Sequence, residues 1–383
     1  MRYPVKVENN IGSRVRNQLA TVASDSTQAQ IASEVGMTPD AFSRALRGQR
    51  QFAAIELAKL AERLKVSMHW LATGQEDPNR VLVAARHSFD HTTRQHESVD
   101  WSVERYGLET VASAYVHAFG SNSVQPLPPL PSAPGEARQR LREAAGGDFV
   151  FNFAQAVEEA FGIEVIRVPE LTRSYSLSVA GHRIVVVKPH PNWFFQNWSI
   201  AHELGHFATG ELNDLVDVST DSSQAEIDAN AFAAELLLPA AGLRAIDWQD
   251  HSPAELAENL WSWGISTEAL RRRLASLQIV PSEGVRELLG LPTQRVIHHY
   301  RMAQADGFDD IADRMERAST RRFPVGLLAA HTSAVAEGSL GVEYLAWMLD
   351  AEPGDLESEF GPPTGTPDFD ELASALGLQS NLS

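Results

Sequence analysis

A mainly α-helical chain with one small β-sheet, an α+β fold, is the class this sequence predicts, and three observations predict it. From Asn17 to Gly74 apolar residues recur at helical spacing between turn signals at Ser24 to Ser26, Gly36, Gly48 and Lys65 to Ser67. Strand-prone runs are confined to IEVIRVPE, SYSLSVA and RIVVVK, between residues 163 and 188. Helical patterning then resumes in WSIAHELGHFATG, residues 198–210, and continues through most of the remaining chain.

Composition bounds the rest. With 383 residues, 43% hydrophobic and 21% charged, two or three globular domains are expected. No apolar run reaches membrane-spanning length and MRYPVKVENN has no signal-peptide character, so a cytoplasmic location and no membrane partner are expected. Cysteine is absent, which excludes disulfides and thiolate metal ligands together. The net charge of −18 is unevenly spread: residues 1–74 carry ten Lys and Arg against six Asp and Glu, net +4, and the remainder 22 against 44, net −22. Nucleic acid is therefore expected to meet only the first segment.

That segment, residues 1–76, has a helix-turn-helix layout in TQAQIASEVGMTPDAFSRALRG. Thr27 caps the first helix, Gln28 begins it, Ala32 is small where two helices cross and Gly36 turns the chain. Thr38 caps the second helix, with Pro39 at its first position. Phe42, Ala45 and Leu46 form its apolar stripe and leave Asp40, Ser43, Arg44 and Arg47 outward, as candidates for the major groove of DNA. Gln28, Thr38 and Arg50 complete the candidate contacts, Gln28 and Arg50 being placed for phosphates. The layout, with the later helices AAIELAKLAERL and SMHWLATG, resembles the Cro and phage-repressor class, which implies DNA as a partner and a homodimer as a plausible reader of palindromic sites.

Residues 77–140 read as a helical segment, Val103 to Phe119, followed by a stiff linker with Pro126, Pro128, Pro129, Pro131 and Pro134. His87, His91 and His96 are scattered there without a ligand pattern and are assigned no chemistry. The second catalytic-type domain is expected at 141–282, and a helical carboxy-terminal region at 283–383.

In the 141–282 segment a helix, FVFNFAQAVEEAFG, precedes the strands, of which SYSLSVA and RIVVVK flank a tight turn at Gly181-His182. A strand edge beside a catalytic helix suits an extended peptide bound through its backbone. The helix carries His202-Glu203-Leu204-Gly205-His206. Residues four apart share a helix face, so His202 and His206 can hold one zinc ion between their imidazoles. Glu203, beside that face, is placed to take a proton from water, the general-base role in metal-assisted peptide hydrolysis. Tyr175 and His182 are candidate donors to the developing oxyanion.

A catalytic zinc needs a third protein ligand. SSQAEIDANAFAAELLLP offers Glu226 and Asp228, which point to nearly opposite sides of one helix. Glu226 is favoured because it shares a face with Asn230, Ala233 and Leu237, with Asn230 as an outer partner of the site. Asp228 shares its face with Glu235, and Ser223 with Glu226 can alternatively form a capping box.

AHELGH, the downstream E-x-D-A-N-x-F-A-A-E-L-L-x-P and the repressor-like start together resemble the ImmA/IrrE family of zinc metallopeptidases. The spacing from His206 to Glu226 is similar to that of the thermolysin-like group, whose third ligand is glutamate. The likeness covers about residues 15–75 and 145–355, with Asp228 standing where the family commonly has glutamate. It implies a zincin-like fold, a zinc cofactor and cleavage of a regulatory protein, typically a helix-turn-helix repressor, in stress response or mobile-element control. It leaves open a transcription regulator or toxin-antitoxin component in which the metal domain senses or binds a partner without hydrolysis.

Overall fold

The computed structural model describes residues 10–22, 27–64, 66–75, 81–85, 89–90, 95–96, 101–120, 129–210, 212–214, 223–301 and 310–360. The turn at Ser24 to Ser26, Lys65, His87, His91, Pro126, Pro128 and the tail from 361 lie outside them. The fold is mainly α with a small sheet, and the chain divides into two units, Met1–Arg80 and Val81–Ser383. No helix among the described residues is long and apolar enough to cross a membrane.

Among the described residues the first unit has five helices: α1 (Ile11–Val22), α2 (Gln28–Glu34), α3 (Pro39–Leu46), α4 (Ala54–Leu64) and α5 (Met68–Thr73). Thr27 accepts from the Gln30 amide while the Gln30 side chain accepts from Thr27, a capping box that fixes the start of α2. Thr38 accepts from the Ala41 amide and Pro39 opens α3. Between them Gly36 has φ +80°, a turn that a side chain would strain. Phe42, Ala45 and Leu46 of α3 are buried with Ile31, Ala32, Leu57, Leu60 and Leu64. Arg14 is buried and donates to the Leu71 and Ala72 carbonyls at 3.0 and 2.8 Å, tying α1 to the end of α5.

In the second unit the chain runs through β1 (Leu82–Ala85), β2 (Phe89–Asp90), β3 (Gln95–His96), α6 (Trp101–Phe119), α7 (Pro134–Ala145) and a 3-10 turn (Phe149–Asn152). It continues through α8 (Phe153–Phe161), β4 (Ile163–Arg167), β5 (Tyr175–Val179), β6 (His182–Val187), α9 (Trp193–Thr209), β7 (Asn213–Asp214) and α10 (Ser223–Leu237). Then follow α11 (Ala240–Arg244), α12 (Pro253–Trp263), α13 (Thr267–Ser276), α14 (Glu283–Leu289), α15 (Thr293–Tyr300), α16 (Asp310–Ser319), α17 (Val325–Ala336), α18 (Glu343–Leu349) and α19 (Pro353–Phe360).

The sheet order is β4-β6-β5-β1-β7, with β4 and β6 parallel and the other pairs antiparallel. The turn joining β5 to β6 is Ala180-Gly181, both at positive φ, the geometry of a type I′ hairpin. His182, expected in the turn, is instead the first residue of β6, paired with Val179.

Strand alternation gives this sheet two apolar faces. Ile163, Val165, Val185 and Val187 pack with α8, α9 and the helices that follow, while Ile166, Tyr175, Leu177, Ile184 and Val186 pack with Leu108 and Tyr115 of α6, Leu327 of α17 and Leu345 of α18. Two expected boundaries therefore do not separate packed bodies. The segment from 81 supplies a strand and the helix that covers the second face, and the region after 283 supplies α16 to α18. Either segment left out would expose one face of the sheet, so β1 and α6 of 77–140 and α16 to α18 of 283–383 pack into one body with β4 to β6.

β1 also changes the reading of the sheet edge. It pairs with β5 in the register Leu82↔Ser178, Val83↔Leu177, Ala84↔Ser176 and Ala85↔Tyr175, so β5 is an inner strand. The edge beside the catalytic-type helix, expected to be open for a peptide, is already paired within the chain.

Candidate metal centre

α9 begins at Trp193 and stops at Gly210, whose φ of +74° closes the helix and whose amide donates to the His206 carbonyl. Apolar Trp193, Phe194, Ile200, Leu204 and Phe207 bury nearly the whole helix, and with it His202, Glu203 and His206. α10 crosses α9 at unusually short range. A Cβ built on Gly205 would lie 2.7 Å from the Ala229 Cα and 3.0 Å from its carbonyl oxygen, closer than real side chains approach. Glycine in a helix interior costs about 1 kcal/mol relative to alanine, and here that cost admits the second helix.

The crossing brings three residues to one point. His202 Nε2 and His206 Nε2 are 3.2 Å apart, and Glu226 turns Oε2 to His202 at 3.3 Å and Oε1 to His206 at 3.4 Å. Tetrahedral zinc with bonds of about 2.0–2.1 Å separates its ligand atoms by roughly 3.3–3.4 Å, so the triangle has the dimensions of a zinc site. His202, His206 and Glu226 are the one group of metal-binding type among the described residues. Burial by itself pushes the Glu226 carboxyl up, but hydrogen bonds and charge from His202 and His206 outweigh it and hold the group at about 2. An ionised carboxylate facing two imidazole nitrogens is what a dication needs.

The outer partner is also in place. Asn230 Nδ2 donates to the Glu226 carbonyl at 2.8 Å, which leaves Oδ1 facing His202 Nδ1 at 3.2 Å. His202 therefore donates from Nδ1 and presents Nε2 as a lone pair. Asp228, the rival ligand, points elsewhere and accepts from Gln224 Nε2 at 2.9 Å. Both Glu226 oxygens are turned to the histidines.

Glu203 is fully buried one residue along α9. Its Oε2 accepts from Ser176 Oγ at 2.8 Å, and its Oε1 is buried with no hydrogen-bond partner among the described residues. One oxygen is thus held by the sheet and the other is available to accept a proton. Ser176 escaped the sequence reading, although the alternation Ser174-Tyr175-Ser176-Leu177-Ser178 signals a polar stripe on one side of an otherwise apolar strand.

The same alternation removes two candidates. Because Ser176 faces α9, Tyr175 faces α6, where it donates to the buried Glu104 at 2.7 Å; burial, then that bond, pushes its phenol up. His182 stacks on Phe119 at 4.3 Å between centroids and lies beside Tyr115. Both are on the far face of the sheet, so neither is an oxyanion donor.

Residues 158–275 match the family model Peptidase_M78, the IrrE N-terminal-like domain. The matched stretch runs from α8 into α13 and contains β4 to β6, α9, α10 and the whole His202-His206-Glu226 triangle. The Peptidase_M78 match supports the ImmA/IrrE likeness and a metallopeptidase-type function for this part of the chain, and it does not extend to the amino-terminal unit. No curated protein and no solved structure matches the chain.

In the amino-terminal unit Gln28, Arg44 and Arg47 are exposed and Ser43 is half-buried on α3, with Arg47 donating to the Ser43 carbonyl at 3.1 Å and Arg44 lying 3.5 Å from Asp40. Arg50 differs from its expected role as a phosphate contact. It makes a bidentate pair with Glu56 at 2.8 Å for both bonds, and Glu56 also caps the Ala53 amide, so its charge is spent on the start of α4.

The ligand assignment has a direct measurement. In a competition titration against a zinc-chelating dye, Asn230→Ala should weaken zinc binding by about 10–100-fold and Glu226→Ala by more, with Asp228→Asn unchanged. Equal losses in Asp228→Asn and Glu226→Ala would reassign the third ligand.

Proposed function

We propose that the chain is a zinc-dependent endopeptidase that cleaves a regulatory protein, such as a helix-turn-helix repressor, and carries its own DNA reader. The observation that carries the catalytic part is Glu203, buried one residue from the His202-His206-Glu226 triangle with Oε1 unpartnered. A structural metal site has no use for a buried carboxylate oxygen left without a hydrogen bond, since such a group costs free energy. When bound at this triangle, zinc supplies Lewis acidity that polarises a peptide carbonyl and makes a water more acidic. His202 and His206 hold the site through Nε2, and Asn230 keeps His202 in the required tautomer. Glu203 takes the water's proton on Oε1 while Ser176 fixes Oε2, then passes the proton to the departing amine.

Substrate access follows from β1. A peptide that pairs with β5 has to displace Leu82–Ala85, so β1 competes with substrate for the same strand position. The DNA-reading part is supported by the net +4 of residues 1–74 and by the outward Arg44 and Arg47 beside a capped, buried α3.

Mass spectrometry of candidate repressors incubated with zinc-loaded protein tests the enzyme. Wild type should produce one defined cut, and Glu203→Gln should retain about one zinc per chain with cleavage abolished. Cleavage by Glu203→Gln at the wild-type rate would leave only a metal-sensing or partner-binding role. Val83→Pro, which breaks the β1 ladder, should raise kcat/KM several-fold at constant zinc content, whereas an unchanged rate would remove β1 from the substrate's path. For the reader, Arg44→Ala with Arg47→Ala should lower DNA affinity and flatten its salt dependence by about two charges. Unaltered footprints would end the DNA-reading proposal.

A further inference from the structure

A cavity of about 270 Å³ lies along the amino-terminal half of α9, between the end of β4 and α16. Among the described residues four arginines line it, Arg167, Arg314, Arg317 and Arg322, and no aspartate or glutamate does. In a chain of net charge −18 that is a pronounced local reversal.

Two of the four are neutralised from outside the cavity. Arg322 makes a bidentate pair with Glu158 at 2.6 Å for both bonds, and Arg317 pairs with Asp313. The other two have no carboxylate among the described residues. Arg314 is buried and donates only to the Trp261 and Val150 carbonyls, at 3.0 and 3.2 Å, with its guanidinium over the rings of Phe151, Trp261 and Trp193. Arg167 donates to Gln196 Oε1 at 3.0 Å and to the Arg317 carbonyl at 3.2 Å. Burial, reinforced by neighbouring arginines, pulls Arg314 down to about 9 and Arg167 to about 10. For each of them the strongest charged neighbour is another arginine.

Four cations less two carboxylates leave the described cavity wall with an excess of about two positive charges, one on the buried Arg314 and one on the half-buried Arg167, and carbonyl dipoles offset the cost of burying them only in part. We infer that this cavity binds the phosphate group of a small phosphorylated molecule. A phosphate monoester is close to a dianion at neutral pH and accepts the forked donors of arginine in pairs, which matches both the charge excess and the donor type. The volume suits a small molecule.

The cavity touches the metal helix without containing its ligands. Gln196 and Ile200 line it, and Glu203 lies on the same helix stripe seven residues beyond Gln196, about 10 Å along the axis. Phosphate held there would brace the half of α9 that leads into Glu203, so the ligand is placed to act as an effector.

Isothermal titration of the full chain at constant ionic strength tests the site, with inorganic phosphate, phenyl phosphate and succinate as probes. Both phosphates should bind saturably with Kd below about 1 mM, and succinate at least about tenfold more weakly. Arg167→Gln and Arg317→Ala should each weaken phosphate at least about tenfold, while Arg140→Ala, which disrupts a solvent-exposed helix pair with Glu136, should not. Arg317 is 54% exposed, so its variant reports on the site even if Arg167→Gln fails to fold. Absence of saturable phosphate binding, tighter succinate than phosphate, or equal phosphate affinity in wild type and Arg317→Ala would each overturn the inference. None of these outcomes depends on peptidase activity.

Discussion

The close crossing of α9 and α10 at Gly205 and Ala229 is the contact on which the candidate site depends. His202 lies about one turn before Gly205 and His206 directly after it on one helix, and Glu226 lies about one turn before Ala229 on the other. At ordinary helix spacing of about 8–10 Å, a carboxylate on α10 would reach the imidazoles only through a longer side-chain path. With glycine facing alanine, the three candidate ligand atoms lie 3.2–3.4 Å apart.

Burial extends this logic to Glu203, the proposed base. Glu203 sits between a helix that carries the ligands and a strand that carries Ser176, so the sheet face behind α9 works as the wall that holds the carboxylate. The opposite sheet face has its own buried polar group, Glu104, which accepts from Tyr175 and from the Thr172 amide at 3.0 Å. One strand, β5, thereby sends a serine to the chemistry and a tyrosine to a structural bond, and the pleat alone decides which goes where.

The two-faced sheet also explains why the second unit is larger than the matched family segment. Residues 158–275 contain β4 to β6 and only some of the helices of one face, and the partners of Ile166, Leu177, Ile184 and Val186 come from α6, α17 and α18, outside that segment. An apolar face of that width cannot be left to water, so the flanking sequence is recruited into the same body.

Much of this was readable from residue order. The capped helices at Thr27 and Thr38, the hairpin strands, the helix stop at Gly210 and the choice of Glu226 over Asp228 all follow from local rules: capping chemistry, period two against period 3.6, and face sharing on one helix. Those rules act over a few residues, so sequence alone determined them. What only the tertiary structure decided involves partners far apart in the chain. Residues 82–85 fill the edge of β5, Tyr175 and His182 face away from the metal helix, and arginines from positions 167 to 322 gather around one cavity. A short apolar strand, an arginine or a serine has the same local signature wherever it ends up; its role is set by what the fold packs against it.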